Sequence, residues 1–169
     1  VDDMIVNREI LGALFEREYN ILEAENGEQA LLLLNQYQDS ISAMLLDIIM
    51  PVKDGYEVLA SMGQSGLISK IPVVIITSEN SIESEVRAFD MGASDIIMKP
   101  FEPHVVCRRL QNAVELNQHR QHLEELVEKQ AIKLQKSKDV LTGVLSSVIE
   151  SRSIESGWHI QRIRMFTRV

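Results

Sequence analysis

Apolar residues in the first hundred positions of the chain follow two alternating periods. Short apolar or β-branched runs predict strands at 19–24, 43–46, 72–76 and 95–98. Between these runs, apolar residues recur at helical spacing and predict helices at 7–18, after Asn26, after Tyr56 and around 82–89. Strands that alternate with helices in this way are typical of an α/β domain, in which helices cover both faces of a parallel sheet.

Particular residues refine the predicted helices. One face of the first helix carries four apolar residues, Ile10, Leu11, Leu14 and Phe15. Asn26 can cap the second helix, and Gly92 can end the fourth helix in a left-handed conformation. One row of that fourth helix consists of Ile82, Val86 and Phe89.

The first strand of the predicted sheet is almost missing from this sequence, because only Val1 precedes the polar pair Asp2-Asp3. A parallel sheet without that strand would expose two buried edges. We therefore expect several residues ahead of Val1 to supply it. The complete domain is predicted to be a doubly wound, five-stranded parallel sheet.

From Pro103 the pattern changes to one long helix, with no glycine or proline before Gly143. Two rows recur every seven residues: Ala113, Arg120, Val127, Leu134, Leu141 and Val148, and Leu116, Leu123, Gln130, Ser137 and Val144. This spacing predicts a coiled coil, and hence a homodimer through the helix. The alternative is a helical hairpin that folds back on the first domain through the same apolar rows.

Charge and composition narrow the possible partners and setting. Residues 1–100 carry 6 Lys and Arg against 17 Asp and Glu, whereas residues 101–169 carry 11 against 8. The acidic part should repel nucleic acid, and no helix-turn-helix pattern accompanies the small basic excess, so direct DNA binding is not expected. A single cysteine, Cys107, and the lack of any long apolar run predict a cytoplasmic protein without a membrane span.

Polar residues stand where the predicted strands end. Asp2 and Asp3 follow the first predicted strand, Asp47 the third, Thr77 the fourth and Lys99 the fifth. In an open α/β sheet, ligands bind beyond the carboxyl ends of the strands. Three carboxylates at one edge repel each other unless a cation lies between them, and oxygen ligands favour a hard ion such as Mg²⁺.

Each of these residues also has an ordinary structural explanation. Asp2 and Asp3 alone could form a solvated loop, and Asp47 could cap a helix. Thr77 could be a plain strand residue, and Lys99 could be an ion-pair partner. Their joint occurrence, in order at successive strand ends, favours a functional site.

Four short motifs at these positions are Val1-Asp2-Asp3, Asp47-Ile48-Ile49-Met50-Pro51, Thr77-Ser78 and Lys99-Pro100-Phe101. Residues 1–118 thereby resemble the receiver domain of two-component response regulators. The resemblance implies a flavodoxin-like fold and phosphorylation by a sensor histidine kinase.

The resemblance also assigns roles to individual residues. Asp47 would be the phosphoacceptor. Asp3, Asp47 and the main-chain carbonyl of Ile49 would hold Mg²⁺ or Mn²⁺ directly, and Asp2 would contribute through water. These assignments describe a carboxylate nucleophile beside a divalent metal.

Thr77 and Lys99 would hydrogen-bond the phosphoryl oxygens, and the peptide bond before Pro100 would be cis. Receivers usually have an aromatic residue three positions before the lysine, where this chain has Ile96. Relay of the signal to the fourth helix and the last strand is therefore expected to differ here.

A second resemblance lies at the end of the chain. Segments 148–152 and 155–162 resemble the opening of an HD-GYP domain, the class that hydrolyses cyclic di-GMP. It implies that His159 is a metal ligand, and the alternative is a surface histidine near a helix start. The HD pair and the GYP loop do not occur in this sequence.

These observations predict a receiver at 1–118, a coiled-coil linker at 119–152 and the start of an output domain at 153–169. The leading hypothesis is a phosphoacceptor response regulator that signals through a dimeric linker and is not itself an enzyme. One alternative is the regulatory half of a cyclic di-GMP phosphodiesterase. Another is a scaffold that acts without phosphorylation, against which the intact acidic site argues.

Overall fold

The structure is a computed structural model that describes the backbone of residues 1–166 and the side chains of residues 1–146. The chain divides into two compact units, Val1–Gln121 and a second that begins at His122. None of the described helices is both long and apolar enough to cross a lipid bilayer.

Three parallel strands form the sheet of the first unit, in the order β1 (Met44–Leu46), β2 (Val73–Thr77) and β3 (Asp95–Met98). Leu45 is in register with Val74, and Ile75 with Ile96. All five residues of β2 are buried, as a central strand covered on both faces requires. These are three of the predicted strands, with boundaries within one residue of the prediction.

The helices follow the predicted order. They are α1 (Ile5–Phe15), α2 (Gly27–Tyr37), α3 (Gly55–Ser65), α4 (Ile82–Asp90) and α5 (Pro103–Phe166), with a 3₁₀ turn at Leu67–Ser69. Asn26 caps α2 by accepting a hydrogen bond from the Gln29 amide, as predicted. Gly92 has a φ of 97° just after α4, so it adopts the predicted left-handed conformation.

Two hydrophobic clusters cover the two faces of the sheet. Val73 and Ile75 pack into one cluster with α2 and α3, whereas Val74 and Ile76 pack into the other with α1 and α5. Successive residues of one strand therefore face opposite layers, which is the doubly wound arrangement predicted from the sequence.

The predicted strand at 19–24 does not form in the structure. Its sheet-side contact is a single hydrogen bond, in which the Asp2 amide donates to the Ala24 carbonyl at 3.1 Å. Val1, the residue before Asp2, bonds β1 instead. Its terminal ammonium group donates to the Leu45 carbonyl at 2.8 Å, and its carbonyl accepts from the Asp47 amide at 2.9 Å. One bond does not make a ladder, so the apolar pattern of 19–24 lacks the partner that a strand needs.

Two predicted apolar faces are only partly buried. In α1, Leu11 and Phe15 are buried but Ile10 is 43% exposed. In α4, the row Ile82, Val86 and Phe89 faces outward, with Ile82 80% exposed. Ser84 and Ala88 are the buried residues of α4, because small side chains let this helix approach the sheet closely.

Helix α5 is anchored to the first unit in two ways. Val106, Leu110, Ala113 and Val114 pack in the cluster that contains α1. Beyond them, Asn117 and Gln121 donate to the Lys70 carbonyl at 2.7 and 2.9 Å, and Arg120 donates to the Ser69 carbonyl. Helix α5 continues without a break from Pro103 to Phe166.

Candidate functional site

Three carboxylates meet at the carboxyl edge of the sheet, and we call Asp2, Asp3 and Asp47 the acidic cluster. Their oxygens lie within 4.8 Å of one another. Asp2 is 1% exposed and Asp47 is 5% exposed, whereas Asp3 is open to solvent. The residues predicted from the strand ends are therefore brought together by the fold.

Lys99 supplies a positive charge within this cluster. Its Nζ donates to Asp2 Oδ2 at 2.7 Å and also contacts Asp47 Oδ2. Burial alone would lower the pKa of Lys99, but the hydrogen bonds to Asp2 and Asp47 outweigh it and leave that pKa raised. The side chain is accordingly an ammonium ion at neutral pH.

Asp47 experiences opposing influences. Burial raises the pKa of its carboxyl group, while the hydrogen bond and the charge of Lys99 oppose that rise. The Ile49 amide also donates to Asp47 Oδ1 at 3.1 Å. Lys99 and Ile49 thus fix the direction of the nearly buried Asp47 carboxyl group.

Thr77 ends β2 next to the site. It is 3% exposed, and its carbonyl accepts a hydrogen bond from the Lys99 amide at 2.8 Å. Its Oγ1 accepts another from the Glu79 amide at 3.2 Å. The Lys99–Pro100 bond is cis, as the resemblance implied.

The loop after Asp47 depends on Gly55. A Cβ at that position would lie 2.8 Å from Ile48 Cα, closer than real Cβ atoms approach. The Gly55 amide also donates to the Ile48 carbonyl at 2.9 Å. Only glycine lets the start of α3 lie this close to the phosphoacceptor candidate.

Ile96, which stands where receivers usually have an aromatic residue, is half-buried in β3 and packs against the cluster that contains α2 and α3. A buried aromatic ring instead comes from α3: the Arg87 guanidinium lies 3.9 Å from the centre of the Tyr56 ring. The Tyr56 hydroxyl also lies 3.5 Å from Glu79 Oε2. Through these contacts Tyr56 connects the loop after Thr77 with α4.

Sequence reasoning missed two residues of the first helix that hold the acidic pair. Asn7 Nδ2 donates to both carboxylate oxygens of Asp2, at 3.0 and 3.1 Å. One Arg8 nitrogen donates to the carbonyls of Asp2 and Asp3, at 2.8 and 3.2 Å. The available signal was a pair of hydrogen-bond donors, Asn7 and Arg8, about one helical turn after the adjacent aspartates.

Comparison with known proteins identifies the family of the domain and its fold. The response regulator receiver domain family matches residues 1–111 of the chain. The chain belongs to this family. The receiver domain of Methanospirillum hungatei JF-1 shares the fold, with a TM-score of 0.64 at 20% identity over 70% of this chain and 93% of its own.

Curated relatives are consistent with this assignment. A two-component response regulator of Oryza sativa subsp. japonica is 35% identical over 109 residues, covering 64% of this chain and 81% of its own. A Vibrio cholerae protein named "Probable cyclic di-GMP phosphodiesterase" is 32% identical over 177 residues, covering 100% of this chain and 40% of its own. Residues 1–111 of the chain are therefore a response regulator receiver domain, and the chain spans less than half of the Vibrio protein.

The acidic cluster of this receiver fits a hard divalent cation. Its donors are carboxylate oxygens, the ligand type that such ions prefer, and they lie close enough together to share one ion. Lys99 already shows that the cluster attracts a positive charge. His159, the predicted output-domain ligand, lies outside the residues whose side chains the structure describes.

Proposed function

We propose that this receiver accepts a phosphoryl group on Asp47 from a sensor histidine kinase. The observation that carries the proposal is the contact between Lys99 and a nearly buried Asp47, next to two further carboxylates. Asp3, Asp47 and the main-chain carbonyl of Ile49 would hold Mg²⁺ or Mn²⁺. Labelling by acetyl phosphate with and without Mg²⁺ tests this function, and uptake only with Mg²⁺ is the expected result.

In the proposed reaction, a carboxylate oxygen of Asp47 bonds to the phosphorus of a phosphorylated kinase histidine, and the bond from phosphorus to the imidazole nitrogen breaks. The electron pair of that bond stays on the imidazole, which then takes a proton from water. Bound Mg²⁺ would supply positive charge beside the oxygens of the phosphoryl group that is transferred. Lys99 would neutralise further charge there, because its ammonium group already contacts Asp47.

Thr77 would convert phosphorylation into movement. Its hydroxyl can donate to a phosphoryl oxygen, a stronger acceptor than the neutral groups around it. Because Thr77 Oγ1 also accepts the Glu79 amide, a shift of Thr77 toward Asp47 would pull on the loop that precedes α4. The contacts of Tyr56 with Glu79 and Arg87 would carry that shift to α4.

We also propose that two copies of the chain form a parallel coiled coil through α5. Leu123, Val127, Leu134 and Leu141 belong to the seven-residue rows, and all four are exposed in the single chain. Apolar residues that repeat along one stripe of a helix and stay exposed need a partner to bury them. A second copy presents the same stripe in the same register.

Replacing Leu134 by aspartate is expected to raise the dimer dissociation constant by at least about 100-fold, because an unpaired charge would be buried in the seam. Sedimentation velocity of the whole 169-residue chain measures this change. Ile132→Asp is the matched control, since Ile132 is also exposed but lies outside both rows. A wild-type chain that stays monomeric at tens of micromolar would contradict the proposed dimer.

For the whole protein we propose a metal-dependent cyclic di-GMP phosphodiesterase governed by this receiver. The support is the segment around His159, which resembles the opening of an HD-GYP domain, and the name of the Vibrio relative that matches the full chain. His159 would be one ligand of the metal centre. Phosphorylation of Asp47 would change how α5 presents two such domains to each other.

The full-length protein with cyclic di-GMP and Mn²⁺ or Fe²⁺ is expected to release a linear product. His159→Ala should lower that activity by about 100-fold or more, because a lost ligand impairs the metal centre. His122→Ala is the control, since that exposed histidine precedes the HD-GYP-like segment. No turnover with or without the phosphoryl donor would refute this output while the receiver assignment stands.

A further inference from the structure

The carboxylate of Asp2 is surrounded by donors. Its Oδ1 accepts from the Met4 amide at 3.0 Å and from Asn7 Nδ2 at 3.0 Å. Its Oδ2 accepts from Asn7 Nδ2 at 3.1 Å and from Lys99 Nζ at 2.7 Å. A carboxylate has about four lone-pair sites, so the acceptor capacity of Asp2 is filled by these bonds.

Asp3 differs from Asp2 in this respect. Its side chain is exposed, and no hydrogen bond among the described residues ends on its carboxylate. The two neighbouring aspartates therefore differ as cation ligands. The carboxylate oxygens of Asp3 accept no hydrogen bond among the described residues, whereas those of Asp2 already accept four. Asn7 contributes two of the four bonds that make this difference.

We propose that Asn7 is a positioning residue that keeps Asp2 directed at Lys99 and away from direct metal coordination. Asp3 and Asp47 then hold the metal, and Asp2 holds the ammonium group of Lys99 beside Asp47. The inference rests on the proposed phosphoryl acceptance at Asp47. It adds the residue that separates the roles of two adjacent, chemically identical side chains.

The backbone of the acidic pair does not depend on Asn7. Arg8 binds the carbonyls of Asp2 and Asp3, and its Nε donates to Glu23 at 3.3 Å. The Asp2 amide also bonds the Ala24 carbonyl. Substitutions at Asn7 should therefore alter the Asp2 side chain and leave the fold of the loop in place.

Two substitutions of Asn7 test the proposal, one that adds a carboxylate and one that adds no charge. Asn7→Asp removes both donors and adds a carboxylate, so it should bind Mn²⁺ about tenfold more tightly and take up phosphoryl groups about tenfold more slowly. Asn7→Ala frees Asp2 without adding charge, so its Mn²⁺ affinity should equal or exceed that of wild type while phosphoryl uptake slows. Electron paramagnetic resonance of Mn²⁺ measures binding, and mass spectrometry after acetyl phosphate treatment measures uptake.

Asn112→Asp on the exposed side of α5 controls for the change in net charge and should leave both readings unchanged. Weaker Mn²⁺ binding in both Asn7 variants would overturn the proposal, because it would show a general structural role. Unchanged uptake in both would overturn it as well. A wild-type chain that binds Mn²⁺ but accepts no phosphoryl group would refute the proposed function instead, and the Mn²⁺ affinities of the variants would still decide for or against Asn7.

Discussion

Asp47→Asn is expected to lose phosphoryl uptake from acetyl phosphate, with a fall in rate of at least about 100-fold. The neutral amide is a far weaker nucleophile than a carboxylate, and it offers one oxygen where Asp47 offers two. It also weakens the attraction that holds Lys99 at the site. Intact-protein mass spectrometry at successive times measures the rate.

Asp54→Asn provides the matched control for this experiment. Asp54 lies seven positions further on and caps α3 by accepting from the Glu57 amide at 2.8 Å. Asparagine caps helices equally well, so the control changes the same charge and keeps the fold. Undiminished labelling of Asp47→Asn would remove Asp47 from the role of phosphoacceptor.

Lys99→Ala should slow phosphoryl uptake by about 100-fold, the cost of removing one preorganised charge from such a site. Lys99 is the one cation bonded to both Asp2 and Asp47 in the described part of the chain. Without it, the negative charge of the acidic cluster repels the phosphoryl donor. The measurement is the uptake rate at saturating Mg²⁺, so that weaker metal binding does not account for the loss.

Lys133→Ala, on the exposed surface of α5, serves as the control for removal of a lysine charge and should label at the wild-type rate. If Lys99→Ala also labels at that rate, charge neutralisation by Lys99 is not part of the reaction. The acidic cluster and its metal would then have to supply that stabilisation alone.

The position of the site was predictable because strand ends are encoded locally. The runs before Asp47, Thr77 and Lys99 are short and mostly apolar, so each strand end can be placed within one residue. Parallel order then brings the three side chains to one edge of the sheet. In the structure, Lys99 contacts Asp47 through its side chain and Thr77 through its backbone amide.

The segment 19–24 shows where local pattern fails. Its composition is typical of a strand, but a strand exists only when another pairs with it, and here the pairing amounts to one bond from Asp2. The predicted burial of the apolar row of α4 is wrong for a related reason. Helical spacing identifies an apolar stripe, but it does not say that Ser84 and Ala88 are the residues that pack.

Asn7 and Arg8 could not be assigned roles from the sequence for a different reason. Their contacts depend on how α1 leaves the loop at Asp2 and Asp3, and that angle is set by packing of Leu11 and Phe15 against the sheet. Asparagine and arginine at a helix start are ordinary residues for such a place. Only the distances to Asp2 distinguish them from solvent-exposed side chains.

Locating the phosphoryl group in the wild-type chain tests most directly whether Asp47 is the phosphoacceptor. Acetyl phosphate treatment with and without Mg²⁺, followed by borohydride reduction, converts a phosphorylated aspartate into homoserine that peptide sequencing by mass spectrometry locates. We expect one modified residue, Asp47, and only when Mg²⁺ is present. Modification at Asp2 or Asp3, or none at all with Mg²⁺, would contradict it, and the second result would favour a scaffold that acts without phosphorylation.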